Sequence, residues 1–200
     1  MWQEYLEECR EEDEPILDKE AEGETFEDCD FSGLDIKRSL FRRCRFIRCS
    51  FRKTGFVDCR LENCDFSNCR FSESYFRDCT LSDCKGEGAA WEGSIFRNTV
   101  LERCLLPYVN FNGSKWEDCT LSRCSLRSAS LMQMTLRRSR FKGCDLHGAE
   151  LFKTALKGQD LSDSDIEDIT LSDSMTELKG AKVSPDQAMD IAEMFGVKIV

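Results

Sequence analysis

The chain has 200 residues, a length that suits one domain with a buried core, and carries a net charge of −10 at pH 7. Its composition, 40% hydrophobic and 33% charged, is that of a folded globular protein and excludes extensive disorder. No stretch approaches the roughly 18 consecutive apolar residues of a membrane span, and the acidic residues 1–8 do not resemble a signal peptide. We therefore expect a cytoplasmic protein that does not associate with membranes.

The N-terminal segment, residues 1–24, is predicted to be an acidic cap. Trp2, Tyr5, Leu6 and Cys9 follow the helical spacing i, i+3, i+4 and i+7, and Pro15 follows an acidic run. A short capping helix explains this pattern. A functional arm is the alternative, and we favour the structural role.

A five-residue period then dominates the chain. Every fifth residue from Phe26 to Leu171 is apolar except Gly86, and twelve of the fourteen phenylalanines occupy this register. An α-helix or a β-strand would distribute such residues around or across the element. A chain that turns a corner every five residues keeps them all inside.

A second register, two residues before the large one, holds small side chains. It contains twelve of the thirteen cysteines, and Ser, Thr or Ala occupy most of its other positions. Residues two positions after the large one include Gly33, Asp58 and Asn63, which tolerate tight turns. We therefore interpret the cysteines as reduced packing residues rather than disulfide or zinc ligands, because stacked thiols in a dry core stay neutral.

These units, such as 29–33 (CDFSG), 64–68 (CDFSN) and 144–148 (CDLHG), resemble the pentapeptide-repeat family. The resemblance implies an all-β solenoid, a right-handed quadrilateral β-helix with four repeats and twenty residues per coil. Residues 25–174 would then form about seven and a half coils. A twenty-residue stack also gathers the six cysteines at twenty-residue intervals from Cys44 to Cys144 into one column, which supports the coil independently.

One irregularity interrupts the pattern at Gly86, where a core side chain is missing and a second glycine, Gly88, follows. These glycines are consistent with a bulge. We interpret the segment as local repacking in which Trp91 fills the space.

The C-terminal segment, residues 175–200, is predicted to contain a helix and a short strand. Ser184, Pro185 and Gln187 form a capping-box start, so a helix should run from Pro185 to about Phe195, with a strand over 197–200. An apolar stripe on this helix either caps the last coil or joins a second copy. We predict a homodimer interface at Ala188, Ile191, Ala192, Phe195, Val197 and Ile199.

Residues 186–188 and 196–200 resemble the C-terminal element of the quinolone-resistance and albicidin-resistance branch of the family. That resemblance implies end-to-end dimerisation, and it implies a DNA mimic that binds a type II topoisomerase, either DNA gyrase or topoisomerase IV. Protection of that enzyme from quinolones would be the biological outcome. The repeat phase here is unbroken, whereas some members of the branch carry inserted loops.

Charge is segregated along the chain. Residues 1–30 hold fourteen acids and two bases, and residues 146–200 hold eleven acids and five bases, whereas the residues between them are net basic. An acidic C-terminal third would meet a basic DNA-binding surface, although these acids equally suit simple solvation of the last coils. The predicted partner-binding residues are Asp160, Asp163, Asp165, Glu167, Asp168 and Asp173.

The basic middle could be mistaken for a nucleic-acid patch, since residues 37–60 hold nine bases and one acid. Stacking by twenty instead predicts opposite charges above one another, and we therefore expect no direct nucleic-acid binding. The predicted pairs are Arg38 with Asp58, Arg42 with Glu62, Arg45 with Asp65 and Lys53 with Glu73.

Catalytic motifs are missing from the sequence. The only histidine, His147, should point outward, and neither a nucleophile triad nor a phosphate-binding glycine loop is found. We expect no enzymatic activity, no cofactor and no metal. The leading prediction is a non-enzymatic topoisomerase-binding protein; the alternative is a structural or adaptor solenoid without a topoisomerase target, and the sequence does not separate the two.

Overall fold

The computed structural model describes residues 2–194 and 196–198, which form a parallel β-solenoid with a helix at each end. Helix α1 spans Trp2–Glu11, helix α2 spans Pro185–Met194, and a single 3-10 turn covers Thr176–Leu178. The strands in the described residues are β1 Ile16–Leu17, β2 Glu20–Glu22, β3 Thr25–Glu27, β4 Asp35–Lys37, β5 Leu40–Arg42, β6 Arg45–Ile47, β7 Gly55–Val57, β8 Arg60–Glu62, β9 Tyr75–Arg77, β10 Thr80–Ser82, β11 Ile95–Arg97, β12 Val100–Glu102, β13 Lys115–Glu117, β14 Thr120–Ser122, β15 Thr135–Arg137 and β16 Arg140–Lys142.

The strands stack on the sides of a square coil. The first side is a seven-stranded parallel sheet in the order β1-β4-β7-β9-β11-β13-β15, and the second side is another in the order β2-β5-β8-β10-β12-β14-β16. On the third side β3 pairs with β6, and isolated parallel bridges such as Asp65↔Lys85 continue the column; the fourth side consists of bridges such as Ser50↔Arg70. Every strand pair, and every isolated bridge except Asp160↔Lys182, joins residues twenty apart, which confirms the predicted twenty-residue coil.

The coil begins earlier than the Thr25 start expected from the sequence. Ile16 pairs with Ile36, and Ala21 pairs with Phe41, so two repeats precede Phe26 and the coil count differs slightly from seven and a half. These repeats are hard to recognise because Ala21 is small for a large-register position and Lys19 and Glu24 are charged.

The large side chains form continuous columns inside the coil. On the fourth side the rings of Phe31, Phe51, Phe71 and Trp91 stack with centroid separations of 4.6 Å at each step. Such pairs contribute about 0.5–1.5 kcal/mol each beyond the burial of their apolar area. The core is therefore a set of parallel stacks rather than a single cluster.

Each corner places one residue in the left-handed region of backbone space. Every fifth residue from Asp18 (φ 53°) to Gly158 (φ 81°) has a positive φ, and the set includes Arg48 and Lys53 as well as Gly, Asp and Asn. Side chains other than glycine cost roughly 1–2 kcal/mol in this conformation. Hydrogen bonds to the next coil, such as Gly33 N–H to the Arg52 carbonyl (2.9 Å), hold the corners in place.

The small residues also donate hydrogen bonds between coils. The Cys44 thiol donates to the Ala21 carbonyl (3.4 Å), and the Thr54 and Ser94 hydroxyls donate to the Phe31 and Phe71 carbonyls, each at 2.8 Å. Each acceptor belongs to the large residue of the preceding coil. Small residues with a donor therefore tie adjacent coils together, a feature that an argument from size alone missed.

Gly86 sits in the core column without a bulge, since its N–H donates to the Leu105 carbonyl in register. A Cβ here would lie 2.5 Å from Phe66 Cε2 and 2.8 Å from Leu106 Cδ2. Trp91 is fully buried, stacks on Phe71 and meets Phe66 edge to face at 5.4 Å. Phe66 and Leu106 supply the side-chain atoms nearest to the space at Gly86, and Trp91 packs beside them rather than filling that space as predicted.

Both helices cover ends of the coil. In α1, Leu6 and Cys9 are buried, as predicted for a cap. The rings of Trp2 and Phe26 pack edge to face with their centroids 5.1 Å apart. At the other end α2 has the predicted capping box, since Ser184 N–H donates to Gln187 Oε1 and Gln187 N–H donates to Ser184 Oγ. Val197 and Lys198 are not in a strand, and the other residues of the predicted strand lie outside the described part of the chain.

Candidate partner-binding site at the C-terminal end

The six acids predicted to bind a partner are all exposed, but they occupy three sides of the last coils rather than one. Asp165, Glu167 and Asp168 lie together on the third side. Asp160 and Asp163 lie on the second side, and Asp173 follows the last position of the fourth side. The structure therefore brings together three of the six predicted residues.

The third-side acids surround the one histidine of the chain. His147 Nδ1 lies 3.5 Å from Glu167 Oε2, and Nε2 lies 3.7 Å from Asp168 Oδ2. Asp165 Oδ1 accepts the N–H of Glu167 at 2.9 Å, which fixes the turn that carries all three carboxylates. This is the most acidic surface that the predicted residues form.

The second-side acids lie among bases. Asp160 and Asp163 line a cavity of about 480 Å³ together with Arg140, Lys142 and Lys182. Hydrogen bonds from the Ser162 hydroxyl and N–H hold the pKa of Asp160 below its ordinary value. Asp160 therefore stays ionised, but neighbouring cations reduce the negative potential on this side.

Helix α2 contributes acids that the sequence prediction missed. Gln187 Nε2 donates to the Leu161 carbonyl (2.9 Å) and to the Ser164 carbonyl (2.6 Å), which anchors α2 on the last coil. A cavity of about 400 Å³ separates the helix from the third side, with an apolar floor that includes Ile166 and Ile191. Its acidic rim consists of Glu167, Asp168, Asp190 and Glu193. The sequence offered one signal for this, since residues 183–197 contain three acids and no base.

The predicted dimer stripe on α2 divides between contact with the coil and exposure. Ile191 is half-buried against the core, and Ala192 is also half-buried, whereas Ala188 and Val197 are exposed. Phe195 and Ile199 lie outside the described residues. Met189 and Met194, which were not in the predicted set, are 45% and 43% exposed.

The end of the coil is closed by a buried carboxylate that sequence reasoning did not identify. Glu177 is 3% exposed and accepts hydrogen bonds from Lys153 N–H and from the Ser172 hydroxyl, both at 2.8 Å. Burial raises the pKa of Glu177, but the hydrogen bonds outweigh it and hold the pKa below its ordinary value. Glu177 therefore positions the segment that leads to α2.

The basic residues of the middle coils are largely paired with acids on the rod surface. Arg42 reaches Glu62 at 3.0 Å and Lys53 reaches Glu73 at 3.6 Å, as predicted. Arg45 and Asp65 are bridge partners in the backbone, but among the described residues no ion pair joins them, and the Asp65 carboxylate accepts a hydrogen bond from Ser67 instead.

The predicted pairing of Arg38 with Asp58 is wrong, because Arg38 pairs with an acid of the preceding coil and not of the following one. Arg38 donates two hydrogen bonds of 2.7 Å to Asp18, which lies one coil earlier. Arg48 likewise reaches back to Asp28 and Glu27, at 2.7 and 2.8 Å. The charge ladder exists, and its corner arginines point towards the N-terminal end.

Comparisons with known proteins support a repeat protein. A family model described as a pentapeptide repeat region matches residues 55–131, and a second, described as pentapeptide repeats, matches residues 117–151. No curated protein gives a significant match. No helix in the described residues has both the length and the apolar character needed to span a bilayer.

Several solved structures match this chain. A trypsin-treated form of QnrB1, a plasmid-mediated fluoroquinolone resistance protein, matches at 19% identity and a TM-score of 0.45, covering 92% of this chain and 99% of that one. HetL, a heterocyst-differentiation protein of the cyanobacterium Nostoc, matches at 16% identity and a TM-score of 0.32. That match covers 84% of this chain and 86% of HetL. A thylakoid-lumen protein of Arabidopsis thaliana matches at 19% identity and a TM-score of 0.33. That match covers 62% of this chain and 68% of the plant protein.

Proposed function

Because this chain belongs to the pentapeptide-repeat family, we propose that it is a non-enzymatic, cytoplasmic binding protein rather than a catalyst. Its repeated coils present a rigid surface on four sides, and every coil is tied to the next by backbone hydrogen bonds. A solenoid of this kind offers an extended surface for a macromolecular partner.

The partner that we propose is a bacterial type II topoisomerase, DNA gyrase or topoisomerase IV, which the chain would engage as a partial DNA mimic. The observation that supports this proposal is the acidic surface formed by Asp165, Glu167 and Asp168 with Asp190 and Glu193 of α2. Closely spaced carboxylates resemble a run of backbone phosphates. They would be attracted to the basic surface on which a topoisomerase holds DNA.

Binding at that surface would modulate supercoiling or protect the enzyme from quinolones. A purified-gyrase supercoiling assay, with and without a quinolone, tests this proposal. We expect the wild-type chain to inhibit supercoiling or to restore it in the presence of the drug at micromolar concentrations. If neither effect occurs, the chain is instead a structural or adaptor solenoid.

Two matched variants separate the acidic end from overall charge. Changing Asp163, Asp165 and Asp168 to Lys should abolish the effect, whereas changing Glu7 and Glu11 of α1 and the following Glu12 to Lys should leave it intact. Both variants alter the net charge by the same amount, and all six side chains are exposed. Equal activity of the two variants would show that the C-terminal acids only solvate the last coils.

A further inference from the structure

The histidine of the acidic surface is surrounded by potential metal ligands. One ligand atom each from His147, Asp165 and Glu167 lie within 4.8 Å of one another, and the described residues contain no other such group of three. The imidazole is only 26% exposed, so the ring is held against the rod rather than extended into solvent. The cluster thus combines a nitrogen ligand with two carboxylates.

The stacked backbone creates this cluster. Leu146 N–H donates to the Asp165 carbonyl at 2.8 Å, and Gly148 N–H donates to the Glu167 carbonyl at 2.9 Å. These bonds place His147 in the same column as Glu167, one coil earlier.

We propose that His147, Asp165 and Glu167 form a binding site for a divalent transition-metal ion such as Zn²⁺. Zinc–nitrogen and zinc–oxygen bonds of about 2.0–2.2 Å place two ligands on a tetrahedral ion about 3.4 Å apart. His147 Nδ1 and Glu167 Oε2 already lie at 3.5 Å. A carboxylate oxygen of Asp165 lies within 4.8 Å of a ligand atom of each of the other two residues, and water would fill the remaining position.

The second nitrogen of the ring strengthens this assignment. With Nδ1 on the metal, the proton of the neutral imidazole sits on Nε2, which faces Asp168 Oδ2 at 3.7 Å. A carboxylate behind a metal-bound histidine orients the ring and raises its basicity. An imidazole ligand selects Zn²⁺ and related ions over Mg²⁺ and Ca²⁺, which prefer oxygen ligands alone.

The site does not depend on the proposed topoisomerase partner, but it lies within the same acidic surface. A bound dication offsets the charge of the two ligand carboxylates. The site therefore gives the chain a means of sensing metal that the repeat architecture alone does not provide.

The single histidine makes the test unambiguous. Tag-free, reduced, full-length chain is titrated with Zn²⁺ and followed by calorimetry and by the imidazole proton resonances, which arise from His147 alone. We expect saturable binding of one ion per chain and a shift of those resonances. Imidazole resonances that do not move at saturating Zn²⁺ would overturn the proposal.

Variants test the histidine ligand and the carboxylate beside it. His147→Gln should abolish saturable binding, and Asp168→Asn should weaken it about tenfold or more. Asp173→Asn, an exposed acid outside the cluster, should bind as the wild type does. Unchanged affinity in His147→Gln would refute the site, as would a thiolate charge-transfer band on Co²⁺ titration, because that band reports binding by cysteine. Circular dichroism verifies that each variant is folded.

Discussion

At the scale of the residue, the rod interior is divided between large side chains that stack and small side chains that donate. Cys59 and Cys84 are fully buried, and their thiols donate to the Ile36 and Leu61 carbonyls at 3.2 and 3.3 Å. A thiol is a small hydrophobic group with a weak hydrogen-bond donor. Its size fits the narrow interior, and its donor bonds the preceding coil. Most of the packing energy must nevertheless come from the larger register.

Truncation of the two registers should have very different costs. Phe76 stacks between Phe56 at 4.5 Å and Phe96 at 4.9 Å. Phe76→Ala should therefore lower the free energy of unfolding by about 3–5 kcal/mol through a cavity. Cys84→Ala removes one sulfur atom and a weak hydrogen bond, and should cost about 1 kcal/mol. Urea denaturation measures the unfolding free energy of both variants. Equal losses would contradict the idea that the large side chains supply most of the packing energy.

The cysteines should be unreactive while the rod is folded. All thirteen are buried and free, and burial raises the pKa of Cys49 to about 12 and that of Cys69 to about 11. The thiolate is the reactive form, so the thiols of Cys49 and Cys69 stay protonated at neutral pH. A thiol reagent should modify thirteen groups after denaturation and react slowly before it. A deficit of two or more thiols under non-reducing conditions would indicate a disulfide.

At the scale of the element, the corners carry ion pairs that follow the coil. Asp28, Asp83 and Asp118 accept hydrogen bonds from Arg48, Arg103 and Arg138, which lie one coil further along. These hydrogen bonds lower the pKa of each of the three aspartates. Each pair is exposed and individually weak, but together they connect successive coils.

These pairs predict a loss of stability in acid. A carboxylate with a lowered folded-state pKa stabilises the fold above its ordinary pKa of about 3.9, and this contribution disappears as the pH falls through the folded value. Changing Asp28, Asp83 and Asp118 to Asn should therefore reduce stability at pH 7 and flatten its fall below about pH 4. Asp58→Asn is the control, because no arginine hydrogen-bonds this corner carboxylate in the described residues. If the triple variant kept the wild-type acid profile, the pairs would not contribute.

Helix α2 is an element with two roles, because one face docks on the coil and another stays exposed. Gln187 and Ile191 hold the helix, and none of its described residues is fully buried. Met189 and Met194 remain available for a second copy. The expected dimer would therefore use residues beyond those that cap the coil.

Light scattering tests this dimer. The 23.0 kDa chain should give a particle of about 46 kDa, and Met189→Asp with Met194→Asp should give a monomer. Tyr108→Asp is the control, since Tyr108 is 63% exposed on the middle coils, away from α2. A monomeric parent protein would refute the interface, as would a dimeric double variant.

At the scale of the whole molecule, the five-residue phase determines which residues face inward, and this much could be predicted from the sequence. The first repeats escaped notice because Lys19 and Glu24 occupy small-register positions beneath α1, where they remain half-exposed. The corner pairs could not be oriented because the direction of a long arginine side chain is not set by stacking alone. Asp190 and Glu193 could not be placed since the position of α2 depends on the tertiary hydrogen bonds of Gln187.

The most direct test of DNA mimicry is equilibrium binding of the chain to purified gyrase in competition with linear duplex DNA. We expect DNA to displace the bound chain, affinity to fall with rising salt, and reversal of Asp163, Asp165 and Asp168 to Lys to remove binding. The N-terminal variant with Lys at positions 7, 11 and 12 should bind as the wild type does. Absence of binding, or simultaneous binding of DNA and the chain, would contradict DNA mimicry.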